Sequence, residues 1–211
     1  MDIQLTFMNQ SNIDSSNIVI YQQNMASRAG NFAVAWQVIA NSTPGSSYPF
    51  VFSPNLTVNA ADSFGNFTPT LPASNGQLFQ LSAATNNGNE LAYSGPAVNK
   101  ASIQVRNNLQ IGNISANLYR NGTLLATKSG IAPGQKAVFQ FSPTIWIGVM
   151  SQQVNQGDVI NAAILQNVNT QLALAGITRA NIIMTGGGVG SNAQPIKFAL
   201  ADIMQHEHPR E

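Results

Sequence analysis

The sequence predicts an all-β protein of two tandem, diverged β-sandwich units, of jelly-roll or Ig-like type, packed together. The expected division is 1–96 for the first unit and 97–200 for the second, with a tail at 201–211. Two observations carry this. Short apolar runs recur roughly every 8 to 14 residues, separated by Asn, Gly, Pro and Ser, the punctuation of strands joined by turns. The two halves also show similar landmarks in the same chain order.

The elements follow along the chain. Ile3, Leu5 and Phe7 alternate with Gln4, Thr6 and Met8, the period of a strand with one buried face. Asn17–Tyr21 and Phe32–Ile39 are continuous apolar strand candidates, followed by Tyr48–Phe52, Leu56–Val58, Gln77–Leu81 and Leu91–Tyr93. The second half offers Ile103–Val105, Ile114–Tyr119, Leu124–Thr127, Lys136–Phe141 and Ile145–Val149. Val159–Leu165, Gln171–Leu174, Asn181–Met184 and Ile196–Leu200 complete it. Residues 157–176 fit strand or helix, because short runs of Ala, Leu and Gln suit either.

The likeness of the halves rests on named segments. Ile3-Gln4-Leu5 matches Ile103-Gln104-Val105, and Asn17–Tyr21 matches Ala116–Tyr119. Phe50-Val51-Phe52-Ser53-Pro54 matches Phe139-Gln140-Phe141-Ser142-Pro143, and each is followed by an alternating pair, Leu56/Val58 or Ile145/Ile147. Gly76 with Leu91–Gly95 pairs with Gly157 with Leu172–Gly176. In Phe-x-Phe-Ser-Pro both rings point to one face, into the core, and the proline ends the strand because it cannot donate to the ladder. The copies differ in their connections. The first has longer loops at Met25–Asn31 and Ala60–Ala73; the second ends with Gly186-Gly187-Gly188-Val189-Gly190 before its last strand. That glycine run has no following Lys-Ser/Thr and no helix, so it is no phosphate loop. It reads as a flexible β-connection, or as a place that lets backbones approach closely at a subunit contact.

Composition narrows function. Charged residues are 8% of the chain, against roughly 25% in ordinary soluble domains. Asn and Gln together number 43 and Ser and Thr 30, so the polar surface is made of amides and hydroxyls. Such a surface lacks charge repulsion and suits close-packed assembly, extracellular display or sugar binding. The net charge is +1 with scattered basic residues, which argues against nucleic-acid binding. No apolar stretch is long enough for a transmembrane helix. The N-terminus shows no secretory signal, which fits a cytoplasmic protein or one exported by a non-standard route.

Catalytic chemistry has few candidates. There is no cysteine, and both histidines, His206 and His208, lie in the last six residues, where a solvated tail is expected. The core therefore has no His for a triad or a metal site, and neither cofactor nor metal is expected. Asp2, Asp14, Asp62, Glu90, Asp158 and Asp202 are dispersed, so a glycosidase pair would depend on the fold. The candidate ligand-binding residues lie in the polar loop Ala60–Pro69. Phe64 and Phe67 could stack on a ligand, and Asp62 and Asn66 could supply oxygens or amides beside them. The loop lacks the acidic density of a calcium site.

The segments Ala132–Phe139, Pro143–Gly148 and Met184–Gly188 resemble those of uncharacterised bacterial β-rich proteins of similar length. That resemblance implies a bacterial source and supplies no site residues. The expectation is a non-enzymatic structural or self-assembling subunit of a filament or ordered array, with self-association as its partner interaction. The alternative is a carbohydrate-binding module or lectin, toxin-associated or not, with glycans as partners.

Overall fold

The computed structural model describes residues 1–26, 33–85, 88–150, 153–160 and 170–206. In chain order the strands are β1 (Ile3–Asn9), β2 (Ser16–Tyr21), β3 (Ala33–Val34), β4 (Gln37–Ser42), β5 (Ser47–Phe52), β6 (Leu56–Ala61), β7 (Leu71–Ala73), β8 (Gln77–Ala83) and β9 (Asn89–Pro96). Then come β10 (Ile103–Asn107), β11 (Ile114–Arg120), β12 (Thr123–Ile131), β13 (Lys136–Phe139), β14 (Thr144–Met150), β15 (Val159–Ile160), β16 (Thr170–Ala173), β17 (Ile177–Gly187) and β18 (Gln194–Gln205). Among the described residues the only helical element is a single 3-10 turn, Gly190–Asn192. The chain is all-β. Alternation delivers the expected burial: in β1 Ile3, Leu5, Phe7 and Asn9 are buried, while Gln4 is exposed and Thr6 and Met8 are half-buried.

The chain forms two compact units, each from separate stretches of sequence. Unit 1 is 1–22, 35–54 and 143–211; unit 2 is 23–34 and 55–142. Unit 1 holds two four-stranded sheets, ordered β18-β17-β1-β5 and β16-β14-β2-β4. Unit 2 holds β13-β10-β8-β9 and β12-β11-β6-β7. Both sheets of each unit contribute to its core: Leu5, Phe7, Ile18, Ile20, Ile145, Ile147 and Ile182 in unit 1, and Val58, Leu81, Val105, Leu118 and Phe139 in unit 2. The boundary expected between Pro96 and Ala97 falls inside unit 2. The reason is that β8 and β10, on either side of it, are parallel neighbours, with Phe79 beside Val105. The chain passes between units just after each Phe-x-Phe, at Pro54/Asn55 and Ser142/Pro143.

The two units repeat a pairing scheme. β1 runs parallel to β17 and antiparallel to β5; β10 runs parallel to β8 and antiparallel to β13. Each central strand ends in a buried asparagine, Asn9 or Asn107. Asn9 N donates to Ser46 O and Asn9 O accepts from Gly45 N; Asn107 N donates to Gln135 O and Asn107 O accepts from Gly134 N. The side-chain Oδ1 accepts from Ser11 N in one and Leu109 N in the other, both 3.0 Å. The Nδ2 donates to Ser42 O and to Ile131 O, the carbonyls that close β4 and β12. A second pair involves Gly76 and Gly176: Ala97 N donates to Gly76 O, and His206 N to Gly176 O. Gly76 thus has its counterpart in Gly176 rather than in Gly157.

Other details depart from expectation. Of the paired rings, Phe52 and Phe139 are buried, while Phe50 and Phe141 are half-buried. β13 stops at Phe139, so Phe141 lies in the crossover rather than on a strand face. Phe50 sits on edge strand β5, where it still meets Trp36 edge-on at 6.1 Å, as Phe52 does at 5.8 Å. β18 runs to Gln205, so residues 201–205 are strand. Within 157–176, Val159–Ile160 and Thr170–Ala173 are strands; 161–169 lie outside the described residues. β7 was not anticipated, because Pro72 sits in its middle. It is an edge strand, as are β5, β9 and β18, which carry Pro49, Pro96 and Pro195, so no proline is asked to donate to two neighbours.

Candidate functional site

The four candidate residues of the sequence lie together, in the β6–β7 connection of unit 2. Asp62 organises it. Its Oδ1 accepts from Phe64 N (2.9 Å) and Asn66 N (3.0 Å). Its Oδ2 accepts from Asn66 Nδ2 (3.0 Å) and Asn89 Nδ2 (3.2 Å). The Asn66 side-chain bond, then the backbone bonds of Asn66 and Phe64 and the amide of Asn89, hold the carboxyl below its ordinary pKa against a smaller desolvation effect. A carboxylate offers about four lone-pair sites, and here four donors occupy them. The Asp62 carboxylate therefore spends its acceptor sites on the loop itself, with Asn66 as its main donor.

The loop displays what is left. Phe64 is 89% exposed and Phe67 65% exposed, although both are large apolar rings. Phe67 bridges back to Ala61. Phe64 lines a groove of about 330 Å³ together with Asp62, Ala83, Asn89, Leu109 and Ile111. Ile111 is 84% exposed. Residues 109–112 supply the other wall of this groove, and buried Asn107 holds them from both ends: its Oδ1 accepts from Leu109 N at 3.0 Å and its Nδ2 donates to Gly112 O at 2.9 Å. Leu109 and Ile111 went unnoticed in the sequence. The signal for them is positional: they follow the strand-ending Asn107 as Ser11 and Ile13 follow Asn9.

A second groove, about 370 Å³, lies in unit 1 beside β4. Asn17, Asn41, Gln153, Asn155 and Gln156 give it five amide side chains, with Val38, Ala40 and Val154 between them. Asn41 adopts a left-handed conformation (φ 52°), and its N–H donates to Asn17 Oδ1 at 3.0 Å. Elsewhere, His206 is exposed at the end of β18, and His208 lies outside the described residues. Gly186 and Gly187 belong to β17 and serve close approach within the chain: a side chain on Gly187 would meet Ile13 Cγ1 at 2.6 Å. Among the described residues no helix is long and apolar enough to cross a membrane, and no three His, Asp or Glu residues gather into a possible metal site. Comparison with protein-family models, with curated proteins and with solved structures finds no match for this chain.

Proposed function

We propose that this protein is a non-enzymatic, self-assembling structural subunit, built from two diverged copies of one β-sandwich unit and carrying a contact surface at the loop end of unit 2. One observation carries the reading: the Asp62 carboxylate is spent on the frame of its own loop, and the groove beside it is lined by the uncovered side chains of Phe64 and Ile111. Apolar side chains this exposed gain free energy when a partner covers them, about 25 cal/mol per Å² removed from water. The weak charge of the chain adds little repulsion between copies.

The test is light scattering with negative-stain microscopy across a concentration series. The wild-type chain is expected to form ordered multimers. The Phe64→Ser/Ile111→Ser variant should need a higher concentration to do so, with its unfolding midpoint unchanged, since both side chains are on the surface. A wild-type chain that stays monomeric at the highest concentration overturns the reading. Carbohydrate binding is the second reading, favoured by the five amides of the unit 1 groove. A glycan array with hits that Asn41→Ala and Gln156→Ala abolish would support it, and an array without hits would remove it.

A further inference from the structure

Unit 1 is assembled from opposite ends of the chain. Its first part is 1–22 with 35–54 and its second is 143–211, and 88 residues of unit 2, 55–142, stand between them. What joins the parts is strand pairing: β1 with β17 in parallel, from Gln4↔Arg179 to Asn9↔Met184, and β2 with β14 antiparallel, from Tyr21↔Trp146 to Asn17↔Met150. Unit 2 closes differently. Its parallel pair, β8 with β10, is joined within one stretch of chain, residues 84–102, which carries β9.

The pairing scheme has a further property. If β1–β9 and β10–β18 are two copies of one sequence, neither copy folds on itself. Unit 1 combines β1, β2, β4 and β5 of the first copy with β14, β16, β17 and β18 of the second. Unit 2 combines β6–β9 of the first with β10–β13 of the second. The front quartet of one copy thus accepts the back quartet of another, and both partnerships use the same chemistry: a parallel pair, β1 with β17 or β10 with β8, closed by Gln10 N donating to Met184 O or Asn108 N donating to Leu81 O, each 2.9 Å. The crossovers between quartets are Ser53-Pro54 and Ser142-Pro143. A proline confines the residue before it to extended backbone, so both crossovers are short and stiff. Connections of that kind favour exchange between chains over folding back.

We infer that copies of this chain join by head-to-tail exchange of unit 1: residues 1–22 and 35–54 of one copy pair with residues 143–206 of the next, while unit 2, 23–34 with 55–142, closes within each chain. This rests on the self-assembly reading and names its connection. An exchanged unit 1 makes the same ladders as a closed one, so the exchange costs no contacts and is driven by concentration. A chain open at both ends propagates, giving a linear polymer with unit 2 as the fixed element of each repeat.

The absence of cysteine in the natural chain makes the test direct. Gln4 and Arg179 are adjacent exposed positions across β1 and β17, and Gln80 and Arg106 are adjacent across β8 and β10. Neighbouring strands are about 4.8 Å apart, within the range a disulfide spans. The full-length double variants Gln4→Cys/Arg179→Cys and Gln80→Cys/Arg106→Cys are refolded at low and high concentration, oxidised, and run denatured without reductant, with light scattering before denaturation. For the first variant a ladder of covalent multimers is expected, growing with refolding concentration; for the second, monomer only. Assembly by scattering with only intrachain disulfides in the first variant overturns the exchange and leaves the assembly reading standing. A monomer by scattering overturns both. A ladder in the second variant as well overturns the claim that unit 2 closes within its chain.

Discussion

Ile13 and Ile111 occupy equivalent places and have opposite surroundings. Each comes four residues after a buried asparagine, Asn9 or Asn107, which faces Met184 or Leu81 on a parallel neighbour. Two residues farther along that neighbour the units diverge. Unit 1 has Gly186-Gly187, and unit 2 has Ala83-Ala84. With no side chain on Gly187, Ile13 lies against bare backbone, and Asn12 N reaches Gly186 O at 2.8 Å to close the end. In unit 2 Ala83 keeps its methyl, no such closure forms among the described residues, and Ile111 stands out beside Phe64. One frame therefore gives a sealed end and an open end. The difference rests on a pair of side chains too small to register in an apolar pattern.

The largest expected effect breaks the sealed end. Gly186 has φ +91°, and a Cβ there would overlap the Pro195 carbonyl oxygen, which is backbone and cannot swing aside. Gly186→Ala should lower the unfolding free energy by about 3 kcal/mol or more, from overpacking and a strained left-handed alanine together. The reciprocal change, Ala83→Gly, should cost less than about 1 kcal/mol, the usual entropy of glycine in a strand. Urea unfolding followed by the fluorescence of Trp36 and Trp146, both in unit 1, measures the first, and circular dichroism the second. Equal losses would show that the glycines do not make the difference between the ends.

Next come the asparagines that the two ends share. Asn9→Ala removes side-chain bonds to Ser11, Ser42 O and Ser42 Oγ. Asn107→Ala removes those to Leu109 N, Gly112 O and Ile131 O. Each removes at least three hydrogen bonds anchored on a buried side chain, and each should cost about 2–3 kcal/mol. The consequences for the loops should differ. After Asn9→Ala, the Asn12–Gly186 bond still holds the loop. After Asn107→Ala nothing comparable remains among the described residues, so the amides of residues 109–112 should exchange hydrogen markedly faster while those of 11–13 change little. Similar acceleration in both loops would mean that the sealed end owes its order to the asparagine alone.

The sequence made much of this frame legible, and the failures have physical causes. Alternation located β1, β5, β6, β10 and β14, because each has one face against a core. It missed β7, since Pro72 disguises an edge strand that needs bonds on one side only. Phe-x-Phe-Ser-Pro suggested a likeness of the halves, but no local pattern shows which strands pair across the chain. Parallel pairing of β1 with β17 joins residues at opposite ends of the chain, and local pattern carries no record of it. At the candidate site, Phe64, Phe67, Asp62 and Asn66 were legible as aromatics and amides in a polar loop. Leu109 and Ile111 were not, because an apolar residue after a strand reads as more core until its cover is known to be missing.

The smallest effect concerns one wall of the open groove. Hydrogen bonds to its ionised form, that from the Asn66 side chain foremost, hold the Asp62 carboxyl below its ordinary pKa. The folded value is depressed, so the contribution of Asp62 is complete above the unfolded value and disappears as pH falls through the lower folded one. The window therefore lies below about pH 4. Protonation removes acceptor capacity at an oxygen that now takes two donors, and the turn carrying Phe64 should loosen. The opposite wall is tied by Asn107, which does not titrate, so Ile111 should stay in place. In NMR spectra across this window the Phe64 and Asn66 amides should shift together with a midpoint below that of free aspartate, while the Leu109 amide stays put. Asp62→Asn has one acceptor oxygen for the same donors, so it should abolish the transition and leave Phe64 in the loosened state at every pH. If Phe64 and Leu109 titrated together, the two walls would form one cooperative element, and the open end would be held as tightly as the sealed one.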